Sequence, residues 1–445
     1  MFITTSVSIE TIAKLFDLTT IIILLYATSK NISKILSQTK ILVFMIFFMF
    51  YILPLCLDYV IGFPEYNFSK SDDFTRAQED TLSRIVYDLS LLICTWMILR
   101  TKEKKIGPGV TVNFGNRTSS IVYLLLILGV ILPTIFVFIL QMPQFILVTP
   151  MWRELAFTTT PKNYSFVEQL DFVGICCCII CLFGKLRNTS ILMRIVALVF
   201  LYANICIEGK RGIIFFSLLC IVILLIVHMQ MDEIAGKKQA KNFIKLAIFG
   251  GIAIVMMIVV SISVKIGRGY EEEPSIMNTA LRIDFTRDDR VRYAIYEILH
   301  PDRLQILDYP GQTILPFIVW IFPLNLFFSK VFNYTPHNYS YYLSSALMGG
   351  GISADESFMT PSVFGEFISN FYLLGIFIMP IFTIWFIKRI RNLPYPINFF
   401  VIISYAAWQM YPVGYIMLFL EFTFVLCVFY LIKKRSETRN PYAKI

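Results

Sequence analysis

The sequence predicts an all-α, polytopic membrane protein carrying one large exterior loop. Composition comes first: of 445 residues, 57% are hydrophobic and 16% charged, with mean hydropathy +0.70, far beyond a soluble domain's apolar share. Long apolar runs come second. Residues 41–60, 121–140, 213–227 and 243–264 each approach the roughly 20 residues that cross a hydrocarbon core. They do not alternate in and out, so helices rather than a closed barrel satisfy their backbone polar groups. Charge placement comes third, because basic residues recur in alternate short loops.

Taken in order, spans are expected near 10–28, 41–60, 82–99, 120–141, 168–184, 190–208, 212–229, 243–264, 363–387, 396–412 and 414–432, about eleven in all. Lys30, Lys34 and Lys40 make the first loop basic. The loop 61–81 is net acidic, with Glu65, Asp72, Asp73, Glu79 and Asp80 against Lys70 and Arg76. Basic loops return with Arg100, Lys102, Lys104, Lys105 and Arg117, then with Lys185, Arg187 and Arg194, then with Lys388, Arg389 and Arg391, and in the tail from Lys433. The basic loops belong on the cytoplasmic side, which puts the N-terminus outside and the C-terminus inside. Four regions follow: a bundle of eight helices over 1–264, a large exterior loop over 265–362, further spans over 363–432, and a cytoplasmic tail over 433–445. The apolar stretch 314–328 is short and carries Pro316 and Pro323. A single crossing there would throw Lys388 and Arg389 outside, so it reads as a re-entrant or interfacial segment.

Other features narrow the class. All nine cysteines lie within apolar segments and read as packing residues, despite a C-x-x-C spacing between Cys178 and Cys181. The formal charge of +9 sits in loops as a topology signal, so no nucleic-acid partner is expected. The first segment has no basic leading region and no small-residue cleavage site, and reads as a retained helix. No internal repeat of the secondary-transporter kind stands out. No phosphate-binding G-x-x-x-x-G-K, no H-E-x-x-H and no G-x-S-x-G occurs, so neither an ATP-driven pump nor those hydrolases are expected.

The residues able to carry chemistry gather outside the apolar runs. Glu208-Gly209-Lys210-Arg211-Gly212 turns between two spans with almost no loop. An arginine fork there suits phosphate oxygens, although an interfacial anchor would use the same residues. Arg282, Arg287, Arg290 and Arg292 interleave with Asp284, Asp288 and Asp289, as a mutually paired helix surface also would. No D-x-D occurs, and no metal ligand set or cofactor is expected. Of three histidines, His228 reads as structural and His300, before Pro301, as a cap or turn. His337, followed by Asn338, is placed to orient or deprotonate a hydroxyl.

Several of these stretches resemble the O-antigen ligases and Wzy-type oligosaccharide repeat unit polymerases. Gly209-Lys210-Arg211-Gly212 resembles their S-R-G element, with Lys210 in place of the serine. Arg292 to Tyr296 is similar to R-x-x-x-W, with tyrosine for tryptophan. Asp308-Tyr309-Pro310-Gly311 is similar to D-x-P-x-x-G. His337-Asn338, with Leu343 after, resembles H-N-x-x-L. Most specific is Pro361 to Gly375, which resembles P-S-x-x-G-E-x-x-x-N-F-G-x-x-G, with Tyr372 where a glycine is usual.

The resemblance implies a metal-independent membrane glycosyltransferase of GT-C type in the bacterial inner membrane. It would join repeat units carried on undecaprenyl diphosphate at the periplasmic face, moving the growing chain to a hydroxyl of the next unit. It implies membrane lipids and a chain-length regulator as partners. Arg211 and Arg292 would stabilise the departing diphosphate, with Arg282 or Arg290 able to serve instead of Arg292. Lys210 and Asn338 would bind substrate, His337 would position or deprotonate the acceptor, and Glu366 would orient the acceptor or hold the loop. The nearest alternative is a ligase acting on lipid A–core. Others are a metal-dependent enzyme using a lipid monophosphate sugar, with Asp72 and Asp73 as candidate ligands, and a lipid-linked oligosaccharide flippase without chemistry.

Overall fold

The computed structural model describes residues 9–63, 71–102, 165–183, 191–208, 211–234, 251, 287–315, 339–348, 361–390 and 397–410. The elements among these residues are all helices, with no strand. Among the described residues, four helical stretches are long and apolar enough, by length and composition, to cross a membrane: Glu10–Ile32, Thr39–Val60, Thr81–Arg100 and Val363–Ile390. This is compatible with a helical membrane protein. The expected spans near 120–141 and 414–432, and nearly all of 243–264, lie outside the described residues, as does 314–328 apart from Ile314 and Leu315.

The chain forms two compact units. One comprises Met1–Ile106, Pro274–Asn392 and Tyr405–Met417; the other comprises Gly107–Glu273, Leu393–Ser404 and Leu418–Ile445. In the first unit, α1 (Ile9–Ile32) packs along α5 (Thr81–Arg100). The Lys40 ammonium joins α2 (Thr39–Phe47) to the end of α5, donating to the carbonyls of Leu99 at 3.0 Å and Thr101 at 2.9 Å. A cation on the last carbonyls of a helix both satisfies them and opposes the dipole. A π-turn, Phe48–Ile52, leads into α3 (Leu53–Val60). The short α4 (Ser71–Glu79) lies in what the sequence read as a plain loop. It packs on α9 (Asp288–Leu299).

In the second unit α6 (Ser165–Phe183) packs on α7 (Ile191–Glu208) and α8 (Arg211–Ile234). Cys176, Cys177, Cys178 and Cys181 are all buried there. The Cys176 and Cys220 sulfurs lie 3.9 Å apart across α6 and α8, so these thiols act as small packing groups.

The span expected at 363–387 is not one straight helix. It divides into α11 (Val363–Phe371) and α12 (Gly375–Ile390), joined by the 3₁₀ turn Tyr372–Leu374. A Cβ placed on Gly375 would lie 2.4 Å from the Phe367 carbonyl oxygen. Residues eight apart in a straight α-helix are separated by about 12 Å, so the chain bends sharply here. Tyr372 makes the bend with φ 54° and ψ −146°, a conformation open to glycine and strained for other residues. Aromatic rings fill the angle: Phe367 and Phe382 both pack on Trp408, which belongs to α13 (Ile397–Met410).

The bend predicts opposite effects from two substitutions. Tyr372→Gly should raise thermal stability in detergent by about 1 kcal/mol, because the strain relieved exceeds the added chain entropy. Half of Tyr372 is exposed, so little packing is lost. Gly375→Ala should lower stability by about 1–3 kcal/mol through the backbone clash. A destabilised Tyr372→Gly protein would show that the bend is not held as described.

Candidate functional site

Proline starts the local argument. Pro54 lacks an N–H, so the Phe50 carbonyl loses its α-helical donor. The backbone N–H of Arg287, at the head of α9, donates to that carbonyl at 3.2 Å. The next carbonyl, Tyr51, accepts the Tyr87 hydroxyl at 2.6 Å. A helix interrupted by proline thus becomes the docking point for the polar segment.

From that point α9 carries its charges into the interior. Arg287, Asp288, Asp289, Arg290 and Arg292 are all buried. The Arg292 Nη2 meets Asp58 Oδ2 of α3 at 2.5 Å and Asp288 Oδ2 at 3.4 Å, one turn before it. Its guanidinium also lies 4.6 Å from the Tyr87 ring centroid, a cation–π contact. Burial alone disfavours the charged form, but Asp58 and Asp288 more than offset that and hold its pKa above the ordinary value. Arg290 pairs with the adjacent Asp289. A second buried pair, Asp17 with Arg84, ties α1 to α5, and the Tyr59 hydroxyl donates to Asp17 at 3.0 Å. Asp88, one turn beyond Arg84, is fully buried beside them.

Helix α11 rests directly on α9. A Cβ on Gly365 would stand 2.8 Å from the Arg290 carbonyl oxygen, so only glycine allows this approach. Ser362 begins the helix: its hydroxyl meets the Gly365 N–H and the Tyr51 hydroxyl, and Tyr51 also donates to Gln409 at 3.1 Å. Two polar side chains of α11 then hold the loop before residue 316. Glu366 accepts the Thr313 hydroxyl at 2.6 Å. Asn370 accepts the Thr313 N–H at 3.2 Å through its side chain, and donates to Thr313 Oγ1 at 2.9 Å and to the Glu366 carbonyl at 2.8 Å. Its own carbonyl accepts the Gly311 N–H. Glu366 and Asn370 are fully buried, and every bond they make replaces one to water, so each is costly to remove.

Glu297 is the second anchor. One carboxylate oxygen accepts the N–H groups of Ile306 at 2.6 Å and Leu307 at 3.0 Å, and the other accepts the Ser369 hydroxyl at 2.9 Å. Burial pushes its pKa up, and those donors offset part of the rise. Ser369 also meets the Tyr339 hydroxyl at 2.9 Å, which brings in α10 (Tyr339–Met348). Tyr339, Leu343 and Leu347 close a small core with Tyr293, Tyr296, Leu304, Ile306 and Leu307. At the end of α9, His300 lies against the Tyr296 ring and 3.3 Å from Asp80. Asp80 caps α5 through the Ser83 N–H and hydroxyl.

Of the residues predicted from sequence, the structure brings Arg290, Arg292 and Glu366 into one buried assembly. Arg211 opens α8 in the other unit, and its side chain lies outside the description. Lys210, Arg282, His337 and Asn338 also lie outside the described residues, ending one residue short of the anchored Tyr339. Sequence reasoning passed over Glu297, Ser369, Thr313 and Asp58. A lone carboxylate near the end of an apolar run was the available signal for Asp58. Among the described residues, no three His, Cys, Asp or Glu side chains are grouped as metal ligands would be. The chain matches no protein-family profile, no curated protein and no solved structure.

Two outcomes follow from this geometry. Arg292→Ala removes the cation that meets two buried carboxylates, a loss of about 3–5 kcal/mol. It should therefore lower the amount of folded protein, and Asp58→Asn combined with it should restore much of that amount. Unchanged folded yield in the single variant would count against the buried pairing.

Acid stability tests the second contact. The Asp80 pKa is lowered: partial burial would raise it, but the Ser83 N–H and hydroxyl and His300 outweigh that. Its stabilising share is full above the unfolded value near 4 and disappears as pH falls through the lower folded value. Asp80→Asn should flatten the acid limb of a melting-temperature profile. An unaltered acid limb would place the stabilisation elsewhere.

Proposed function

We propose that this chain is an inner-membrane glycosyltransferase of GT-C type that polymerises oligosaccharide repeat units carried on a lipid diphosphate. In this reading about eleven spans surround a periplasmic loop. The growing chain leaves its diphosphate and joins a hydroxyl of the next unit. Arg211 and Lys210 neutralise the departing diphosphate. His337 deprotonates or positions the acceptor hydroxyl, with Asn338 beside it in sequence binding the acceptor. Arg282 is a further candidate for the diphosphate, whereas Arg290 and Arg292 are already paired with carboxylates. Arg292 pins α9 to α3, Arg290 pairs within α9, and Glu366 holds the loop through Thr313.

The observation that carries the reading is the backbone of residues 361–375. The pattern it resembles has glycine at three positions after the proline-serine pair. At Gly365 and Gly375 a side chain would strike a carbonyl, and at Tyr372 the backbone takes a positive φ suited to glycine. The same helix anchors the loop bearing Asp308 to Gly311 and the helix that begins after His337-Asn338. The helix bearing Arg292 and the loop bearing Asp308 to Gly311, two further stretches of the resemblance, therefore both meet α11.

One observation favours the flippase alternative. The residues able to carry chemistry were expected outside the apolar runs, yet Asp17 lies eight residues into α1, about 12 Å along the helix. It is buried there with Arg84 and Asp88. A ligase acting on lipid A–core shares the proposed chemistry and differs only in acceptor.

His337→Ala separates these readings. Base assistance contributes about 10²–10⁴-fold to such steps, so chain extension should fail while single repeat units still reach the surface. Surface glycans would show core capped with one repeat. Loss of that single repeat as well would support transport or ligation instead of polymerisation, and full-length ladders would remove His337 from the chemistry. Arg211→Ala should likewise abolish polymer, and Arg211→Lys should rescue it poorly, since a point charge cannot grip two oxygens as a fork does.

A further inference from the structure

The loop between α9 and residue 316 carries an exposed feature that the proposed chemistry leaves unused. Tyr309, Pro310, Gly311 and Gln312 form a tight turn. Pro310 fixes φ at its first central position, and Gly311 has φ 79° at the second, as a type II turn requires. The turn is rigidly backed. The Gly311 N–H is held by the Asn370 carbonyl, and Thr313 by Asn370 and Glu366. Gln312, itself buried, accepts the Asp308 N–H at 2.7 Å and donates to Asp308 Oδ2 at 3.1 Å. It also meets the Tyr342 hydroxyl. The Asp308 carboxylate is therefore fixed in direction while remaining exposed, and the Tyr309 ring beside it is 44% exposed.

A rigid backbone presenting an aromatic ring next to an oriented carboxylate has a matching ligand chemistry. A pyranose offers an apolar face of C–H groups and a rim of hydroxyl donors. Tyrosine supplies flat contact area with little side-chain entropy to lose, and a fixed carboxylate accepts hydroxyl hydrogens in charge-assisted bonds. Exterior placement agrees, because the preceding residues Ile306 and Leu307 are bound by Glu297, and α9 ends at the His300–Asp80 contact. Asp80 ends the acidic loop that the charge rule puts outside.

We propose that Asp308 and Tyr309 form a carbohydrate subsite, with a sugar ring of the repeat unit stacked on Tyr309 and its hydroxyls bound by Asp308. This rests on the polymerase reading for the identity of the sugar, but binding at the turn is separable from catalysis. It adds a specificity-determining contact on the glycan, remote from the diphosphate.

The probe is one repeat-unit oligosaccharide, free of lipid, released by mild acid from the cell's own surface polymer. Saturation-transfer NMR with the purified full-length protein reads its binding. Tyr309→Ala should weaken binding about tenfold or more, and Tyr309→Phe, which keeps the ring, should bind within about twofold of the parent. Asp308→Ala should also weaken it. Equal binding by Tyr309→Ala and the parent overturns the subsite, leaving Tyr309 as an interfacial membrane anchor. Equal weakening by Tyr309→Phe overturns the stacking. Polymerisation from lipid-linked units is measured in parallel. Oligosaccharide binding that depends on Tyr309, in a protein that makes no polymer, sinks the polymerase reading and keeps the subsite. Polymer made equally well by Tyr309→Ala, with its oligosaccharide binding also unchanged, sinks the subsite and keeps the polymerase reading.

Discussion

The contact on which most of the first unit depends is that of Gly365 with the Arg290 carbonyl. Because no side chain intervenes, α11 settles onto α9 closely enough for short polar side chains to bridge to the neighbouring loop. Glu366 and Asn370 then reach Thr313 and Gly311, and Ser369 reaches Glu297 and Tyr339. Each bridge is a buried hydrogen bond of modest net worth, roughly 1 kcal/mol, but each is expensive to leave unmade. The network therefore fixes position more than it adds stability. A helix held farther off by even one methyl group would lose several of these bonds together.

A second constraint operates from the other side of α9. Pro54 deprives the Phe50 carbonyl of its helical partner, and the Arg287 N–H takes that place. The head of α9 is thereby brought into the bundle along with its charges. Those charges are tolerable there because they are matched: Arg292 with Asp58 and Asp288, and Arg290 with Asp289. Matched buried pairs are weak sources of stability but costly to break. An arginine used in this way is a structural pin, so in the proposed reaction the diphosphate would be met by basic residues outside α9.

Much of the helical plan was legible because it rests on composition and period. The apolar runs near 10–28, 41–60 and 82–99 appear as helices with ends within a few residues of those expected, as do those near 168–184, 190–208 and 212–229. What escaped detection depends on single backbone groups. The run 41–60 gave no sign of its π-turn except Pro54, and the run 363–387 gave no sign of its bend, because hydropathy is continuous across Tyr372. In the candidate site, Glu366 was singled out in advance. Glu297 was not, because nothing local marks a glutamate whose partners lie nine, ten and seventy-two residues onward. The buried Asp17–Arg84 pair escaped for the same reason.

Tyr372 joins the structural and functional arguments. A residue in this conformation is strained by about 1–3 kcal/mol, so the surrounding packing must over-determine the bend. Phe367, Phe382 and Trp408 pack within it, and Gly375 permits the close return. The chain keeps the bend even where the residue opposes it, which is expected if the geometry rather than the side chain is what matters. The bend turns α11 back against its neighbours as a short buried helix instead of letting it continue as a span. That is how one apolar segment can both build the bundle and support a polar loop: α12 meets α5, and α11 holds Thr313, Gly311 and Tyr339 from beneath. A loop supported in this way can present Asp308 and Tyr309 in a fixed direction without a sheet or a disulfide to stiffen it.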